Sequence, residues 1–383
     1  MSTNKTNLEN ALKELSAKYA GKIRILSPKN MLAAFHVRRP TGILSLDIKL
    51  NGGFPGGSIN QIHGPDGVGK DALTNYMIAE NQRIYGDESA VFWVSFGYAP
   101  DLPFWRMCGI HVYMSDQELE LSGLDPNNAS VEDRGDQVGH IVLPQLGSTD
   151  EALEAPSENI MDVVADLIKT GLFQLGIVNE LGSGESKDDV QKSLKDERRI
   201  ASWSRLVTQF CSRFYTMIRQ PLSDGQPNLT TLMVINPVRA NMDSHAARYK
   251  PFTQTSGNAL AHAKAVDLHL RVVKSVKVGA DTVGKIVGWK VSKGKHGIPE
   301  GDEGTFTWVH GQGVDLIEDT ANVAKVYGVM RQRGAVYEIA GVDGTTKGGI
   351  DAFVARLRGD DALLTYVRDK IREALSNSEE ESA

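Results

Sequence analysis

Cysteine is nearly absent from this chain: only Cys108 and Cys211 occur in 383 residues. One distant pair makes no disulfide framework, so the sequence predicts a reducing, cytoplasmic setting rather than a stapled secreted domain. Neither cysteine has metal-ligand spacing, and both are expected to be buried as small hydrophobes. The histidines show no metal spacing either. Long apolar runs are also missing. No stretch approaches the ~20 residues needed to span a bilayer, and the opening residues MSTNKTNLENALKEL lack the apolar segment of a signal peptide. No membrane partner is expected. The third absence is positive charge, since the net charge is −6. A strongly basic domain would announce a nucleic-acid binder. Its absence excludes little, because a local basic stripe can hold phosphates on an acidic surface.

What is present suits a globular chain of two or three domains. Hydrophobic residues make up 41% of the sequence, enough to bury a sizeable core without staples. Leu8, Leu12 and Leu15 sit at helical spacing and predict a short amphipathic helix over 7–19. SINQIHGPDGVGK (58–70) reads as a strand running into a glycine loop, with a helix over 71–85 and a buried strand over 90–96. Strand, loop, helix and strand form a βαβ unit and predict a parallel sheet. Residues 115–155 read as an acidic surface insertion. A helix over 159–171, a strand over 172–180, a charged loop over 182–198, a helix over 200–218 and a strand over 230–238 follow. A polar stretch over 239–258 comes next. Residues 265–278, 284–295 and 304–315 alternate and predict antiparallel strands. Residues 319–375 predict helices with a small hairpin at VYEIAGV, and SNSEEESA (376–383) reads as a disordered acidic tail.

The stretch GPDGVGKDAL (64–73) carries the chemistry. Gly64, Gly69 and Lys70 fit G-x-x-x-x-G-K, the pattern in which backbone N–H groups surround phosphate oxygens and a lysine adds a point charge. The helix that follows supplies a favourable dipole. The expected nucleotide site comprises Gly64, Pro65, Asp66, Gly67, Val68, Gly69, Lys70, Asp71 and Ala72.

The segment TGILSLDIKLNGGFPGGSINQIHGPDGVGKDAL (41–73) resembles the Walker A region of the bacterial RecA recombinase family and its phage relatives. Other segments follow in the family's order. LENALKELSAKYAGKIRIL is similar to a protomer-linking helix, TTLMVINPVR to a strand ending in N-Q-[IV]-R, and SGNALAHAKAVDLHLR (256–271) to G-G-N-A-L-K-F-x-A-x-x-R-L. KVSKGKHGIP (290–299) and HGQGVD (310–315) match two further segments. The resemblance implies an α/β fold: a RecA-like P-loop NTPase core with a mostly parallel central sheet, an N-terminal helix and a small C-terminal α/β domain. The expected divisions are 1–32 for the linking helix and strand, 33–318 for the core, 319–375 for the small domain and 376–383 for the tail.

The resemblance also implies function. ATP and Mg2+ are the expected cofactors. Single-stranded DNA, double-stranded DNA as second strand, and further copies of the chain in a helical filament are the expected partners, in homologous recombination and repair. Asp101 and Phe104 fall where the family approaches the adenine, and Asn236 belongs to the γ-phosphate-sensing segment. Lys293 and Lys295 match lysines that reach the neighbouring protomer's phosphates. The second DNA loop corresponds to 239–257, where Arg239, His245, Arg248, Tyr249, Lys250 and Phe252, with Asn258 just beyond, offer cations for phosphates and rings for bases. In the first loop, Lys187, Lys192 and Lys195 are nearly balanced by acids. Lys347, Arg356, Arg358, Arg368 and Lys370 raise the prospect of a duplex-docking patch, against ordinary charge pairing.

The departures from the family fall on hydrolysis. Asp71 stands where a magnesium-binding hydroxyl belongs. Ser95, Phe96 and Gly97 stand where the water-activating Glu belongs, and Tyr98 does not replace it. Asn179 replaces the Walker B Asp, with Glu180 beside it, and Pro237 replaces a Gln. Lys70, Asp71 and Glu180 are the candidate catalytic residues, and Asp71 the candidate metal ligand. The pattern predicts altered nucleotide binding and slow or absent hydrolysis. An inactive paralogue that keeps only the filament or DNA-binding role is the competing expectation. A ring ATPase fits less well, because it leaves the terminal segments unexplained.

Overall fold

The computed structural model describes residues 13–15, 17–18, 37–121, 123–145, 156–190, 200–220, 222, 226–240, 252–254, 257–342 and 344–380. Contacts divide the chain into two units, Met1–Val37 and Arg38–Ala383. In the first unit, residues 13–15 and 17–18 are helical and exposed, inside the stretch that leucine spacing marks as helix.

The second unit is built on a ten-stranded sheet. Its strands are β1 (Ile59–Gly64), β2 (Ala90–Ser95), β3 (His140–Val142), β4 (Leu175–Asn179) and β5 (Thr231–Ala240). β6 (Phe252–Gln254), β7 (Val266–Val278), β8 (Asp281–Lys293), β9 (Glu303–Val309) and β10 (Gly313–Val314) complete it. The spatial order is β10-β9-β8-β7-β1-β5-β4-β2-β3, with β6 pairing only with β5. From β7 through β1 to β3 all neighbours are parallel, whereas β7, β8, β9 and β10 form an antiparallel meander. The fold is thus mixed α/β with a large, mostly parallel sheet of RecA-like type.

Period-2 geometry explains why the central strands read as unbroken apolar runs. Successive side chains point to opposite faces, and both faces are covered. Ile62, Val91, Trp93, Ile177, Met233 and Ile235 join one core cluster, on the side of the helix Lys70–Tyr85. Ile59, Phe92, Val94, Val178, Leu232 and Val234 join the other, beneath the helices Pro156–Thr170 and Ile200–Arg219. Cys108 and Cys211 are buried, one in each cluster. At the junction of β1 and β7, buried Asp267 accepts from Lys264 Nζ at 2.6 Å and lies 2.8 Å from His63 Nδ1. Burial raises the Asp267 pKa, yet His63 and Lys264 together hold it below the usual carboxylate value.

Several elements differ from the sequence reading. The acidic insertion includes β3, which extends the parallel sheet beside β2; a three-residue strand is too short to show alternation. The polar stretch over 239–258 begins in paired strand, contains β6, which folds back on the end of β5, and enters the helix Gly257–Ala263 at its close. The expected hairpin near 336–342 is a three-stranded antiparallel sheet, Met330–Arg333, Val336–Ile339 and Thr345–Lys347. With the helices Leu316–Val326, Gly349–Arg358 and Asp361–Glu380 it encloses a third apolar cluster. The last helix continues to Glu380, into residues whose composition predicts an acidic tail.

The segment T-G-x-x-x-L-D has a local physical role. The Asp47 carboxylate accepts from Thr41 N at 2.7 Å, Thr41 Oγ1 at 2.8 Å and Gly42 N at 3.0 Å, which closes the turn before the helix Leu44–Lys49. Leu44 and Ile48 of that helix pack on the third cluster, and Ser45 N donates to Asp319 at 3.1 Å. Exchanging Asp47 for Ala strands these buried donors. An unmet buried polar group costs about 1–3 kcal/mol, so D47A is expected to lower unfolding free energy by about that much or more in urea titrations.

Candidate functional site

The glycine loop joins β1 to the helix Lys70–Tyr85. Gly69, at the start of the helix, has φ 110°, a conformation that residues with a Cβ rarely adopt. The side chain of Lys70 folds back under the loop. Its ammonium donates to the Gly64 carbonyl at 3.1 Å and the Pro65 carbonyl at 2.9 Å, and lies 3.8 Å from the Asp66 carboxylate. Lys70 is only 7% exposed. Burial holds its pKa below the usual lysine value, against the opposing influence of Asp71, Asp66 and Glu180. Lys285, on β8, donates to the Gly67 carbonyl from outside the loop. Val68 and Ala72 are buried and fasten the loop to the core.

Four side chains from three elements meet at the mouth of this loop. Asp71 follows Lys70 on the helix, Asn179 ends β4, Glu180 comes next, and Tyr98 lies beyond the end of β2. Asp71 Oδ1 and both amide atoms of Asn179 are buried and, apart from the Tyr98 hydroxyl beside them, meet no hydrogen-bond partner. Burial pushes the Tyr98 phenol up to about 12, and Asn179, Asp71 and Glu180 lie near enough to influence it. Buried polar atoms without partners are rare in folded proteins. A carboxylate oxygen and an amide oxygen are hard ligands that suit Mg2+, which is usually held by one or two carboxylates together with phosphate oxygens. The donor set therefore fits that ion. Among the described residues no group of three His, Cys, Asp or Glu forms a metal cage of its own.

Phe96 has a packing role. Its ring stands edge-on to Trp203 at 5.4 Å in the cluster on the sheet's other face. Its N–H donates to the Asn179 carbonyl at 3.1 Å, which ties the end of β2 to the end of β4. Asn236 is fully buried within β5, and its Oδ1 accepts from Gly182 N at 3.0 Å. Through the parallel register of β1 and β5, Asn236 stands opposite His63 and Pro237 opposite Gly64. The Asn236 side chain thus ties the start of the first candidate DNA loop to β5, the strand that leads to the second and lies beside β1.

The remaining expected residues are placed as follows. Asp101 caps the helix Leu102–Met107 by accepting from Phe104 N at 3.0 Å. Phe104 is partly buried, with its ring 6.0 Å from Trp308. Lys293 donates to the Ala261 carbonyl at 2.6 Å and the His262 carbonyl at 3.2 Å, at the end of the helix Gly257–Ala263, while Lys295 is exposed. Arg239 pairs with Thr253 across β5 and β6, Phe252 pairs with Ala240, and Asn258 lies in the helix Gly257–Ala263. His245, Arg248, Tyr249, Lys250, Lys192 and Lys195 fall outside the described residues. Within the C-terminal basic group, Arg356 donates to Thr346, Arg358 pairs with Asp315, and Lys370 pairs with Glu373.

Sequence reasoning missed Lys285 and undervalued Tyr98. Lys285 lies 218 positions from the carbonyl it grips, so no local pattern signals it. Tyr98 is a poor substitute for a carboxylate, but its hydroxyl shares the space of the substituted residues.

No family model matches this chain. The chain is 26% identical over 303 residues to a protein named RecA from Syntrophus aciditrophicus (strain SB), covering 79% of this chain and 74% of the relative. It is 25% identical over 338 residues to Protein RecA of Streptomyces ambofaciens, covering 88% and 77%. Protein RecA of Francisella tularensis subsp. novicida (strain U112) is 26% identical over 337 residues, covering 87% and 80%. These relatives, each matched over most of both chains, support a RecA-like family for this α/β fold.

Proposed function

We propose that this chain is a RecA-like recombinase. It binds ATP with Mg2+ at the loop 64–72, assembles on single-stranded DNA as a helical filament, and pairs that strand with duplex DNA in homologous recombination and repair. Its ATP hydrolysis is weak or altered. One observation carries the reading: the phosphate loop, the buried polar atoms of Asp71 and Asn179, and the roots of both candidate DNA loops lie together toward the carboxyl ends of β1, β4 and β5. Ligands of open α/β sheets bind at such strand ends. The long match to proteins named RecA adds support.

In this reading Lys70 leaves its carbonyl partners for phosphate oxygens, Asp71 and Asn179 hold the cation, and Asn236 relays the state of the site to the loop at 239–257. Lys293 and Lys295 meet the nucleotide of the neighbouring protomer. Strand pairing depends on positioning, with ATP acting as a ligand of the assembled state, so it survives poor hydrolysis. The test is electron microscopy of the chain with single-stranded DNA, with and without a non-hydrolysable ATP analogue. Helical filaments that require the analogue are expected; closed rings, or filaments indifferent to nucleotide, would overturn the reading.

Two variants probe its parts. A carboxylate ~4 Å from a phosphate charge is repelled by about 4 kcal/mol at intermediate dielectric unless a cation lies between them. D71N is therefore expected to weaken ATP binding at least tenfold with Mg2+ and to strengthen it in EDTA, as read by a fluorescent nucleotide. Each lost phosphate contact reduces the salt dependence of single-strand binding. The double variant R248A/K250A is expected to bind single-stranded DNA more weakly, with a shallower salt slope; unchanged binding would remove this loop from the interface.

A further inference from the structure

Hydrolysis at a phosphate site is helped by a group near the phosphates, free of the metal, that orients a water and takes its proton, a role a carboxylate suits. The strand end β2 supplies none, since Ser95, Phe96, Gly97 and Tyr98 follow one another there. Asp66 stands in solvent beside Lys70, with a side chain 92% exposed, Asp101 is engaged in capping the helix Leu102–Met107 through Phe104 N, and Asp71 is the ligand suited to the cation. Glu180 remains. It has φ 54°, an uncommon conformation for a residue with a Cβ, at the turn where β4 ends. That turn aims its side chain sideways across the neighbouring strand end, onto the backbone of Gly97. A Cβ on Gly97 would lie 2.8 Å from Glu180 Cδ and overlap Oε2. The carboxylate therefore occupies space that only glycine leaves open. There it is close enough to affect the ammonium of Lys70 and the hydroxyl of Tyr98.

We propose that Glu180 is the catalytic base of this chain's slow ATP hydrolysis, and that Gly97 positions it by leaving room for its carboxylate. The inference rests on the reading that ATP binds at the loop 64–72. As the water oxygen forms its bond to the γ-phosphorus, the Glu180 carboxylate accepts the water's proton. The bond from that phosphorus to the β,γ-bridging oxygen breaks, and its electron pair leaves with ADP. Tyr98, whose hydroxyl lies near Glu180, orients the water. A change at Gly97 acts only through Glu180. The colliding atoms are the far end of a flexible side chain, which swings aside without disturbing the fold.

The experiment measures single-turnover ATP hydrolysis, nucleotide affinity, analogue-dependent assembly on single-stranded DNA and thermal stability for the wild type, E180Q and G97A. Removing a general base costs about 10²–10⁴-fold, so E180Q is expected to lose at least 100-fold in turnover while affinity and assembly persist. G97A is expected to lose at least tenfold with Tm and affinity unchanged, because the carboxylate is displaced rather than removed. Turnover in E180Q equal to wild type overturns the proposal, as does a wild type that assembles with the analogue but turns over no ATP. A wild type that binds no nucleotide overturns the underlying reading instead.

Discussion

The buried ammonium of Lys70 is the interaction on which the site depends. A charged group so nearly removed from water is costly unless hydrogen-bonded. Here the carbonyls of Gly64 and Pro65 meet that need before any ligand arrives. The loop curls around the lysine to supply them. The curl is anchored because β1 is held on both sides by parallel partners, β5 and β7, in a sheet covered on both faces. Lysine, loop, strand and sheet each set the geometry of the next.

Around that fixed lysine the acids are distributed in an unusual way. An acid stands on the helix at 71, an amide at the end of β4, and a second acid one position later. The amide and the first acid keep polar atoms buried, with only the Tyr98 hydroxyl beside them. Tyr98, Phe96 and Gly97 have then to be read together. Phe96 serves the core beside Trp203, Gly97 makes room for a neighbouring strand's side chain, and Tyr98 brings a hydroxyl to the space left between them. Three consecutive residues that look like a loss of function in the sequence have three separate physical roles in the fold.

Much of this was legible in the sequence. The strand–loop–helix unit, the central strands and the long helices declare themselves by apolar runs and glycine placement, which are local properties. The elements that stayed hidden are short or non-local. β3 has three residues and β6 has three, too few for a period to emerge. The loop chemistry was legible at Gly64, Gly69, Lys70 and Asp71 because a contiguous segment builds it. The relation between Gly97 and Glu180 was not, since it depends on which strands become neighbours and on one backbone angle at the end of β4. Lys285 was hidden for the same reason, reaching the loop from a distant hairpin.

The pairing of β5 with β6 has a consequence for the loop between them. Arg239 and Ala240 face Thr253 and Phe252, so the ends of the intervening segment are already held at strand spacing. The entropy of bringing those ends together is met by the ladder and grows only slowly with length, by about 0.6 kcal/mol per doubling. The ladder thus fixes the points at which the chain leaves the sheet at Ala240 and rejoins it at Phe252.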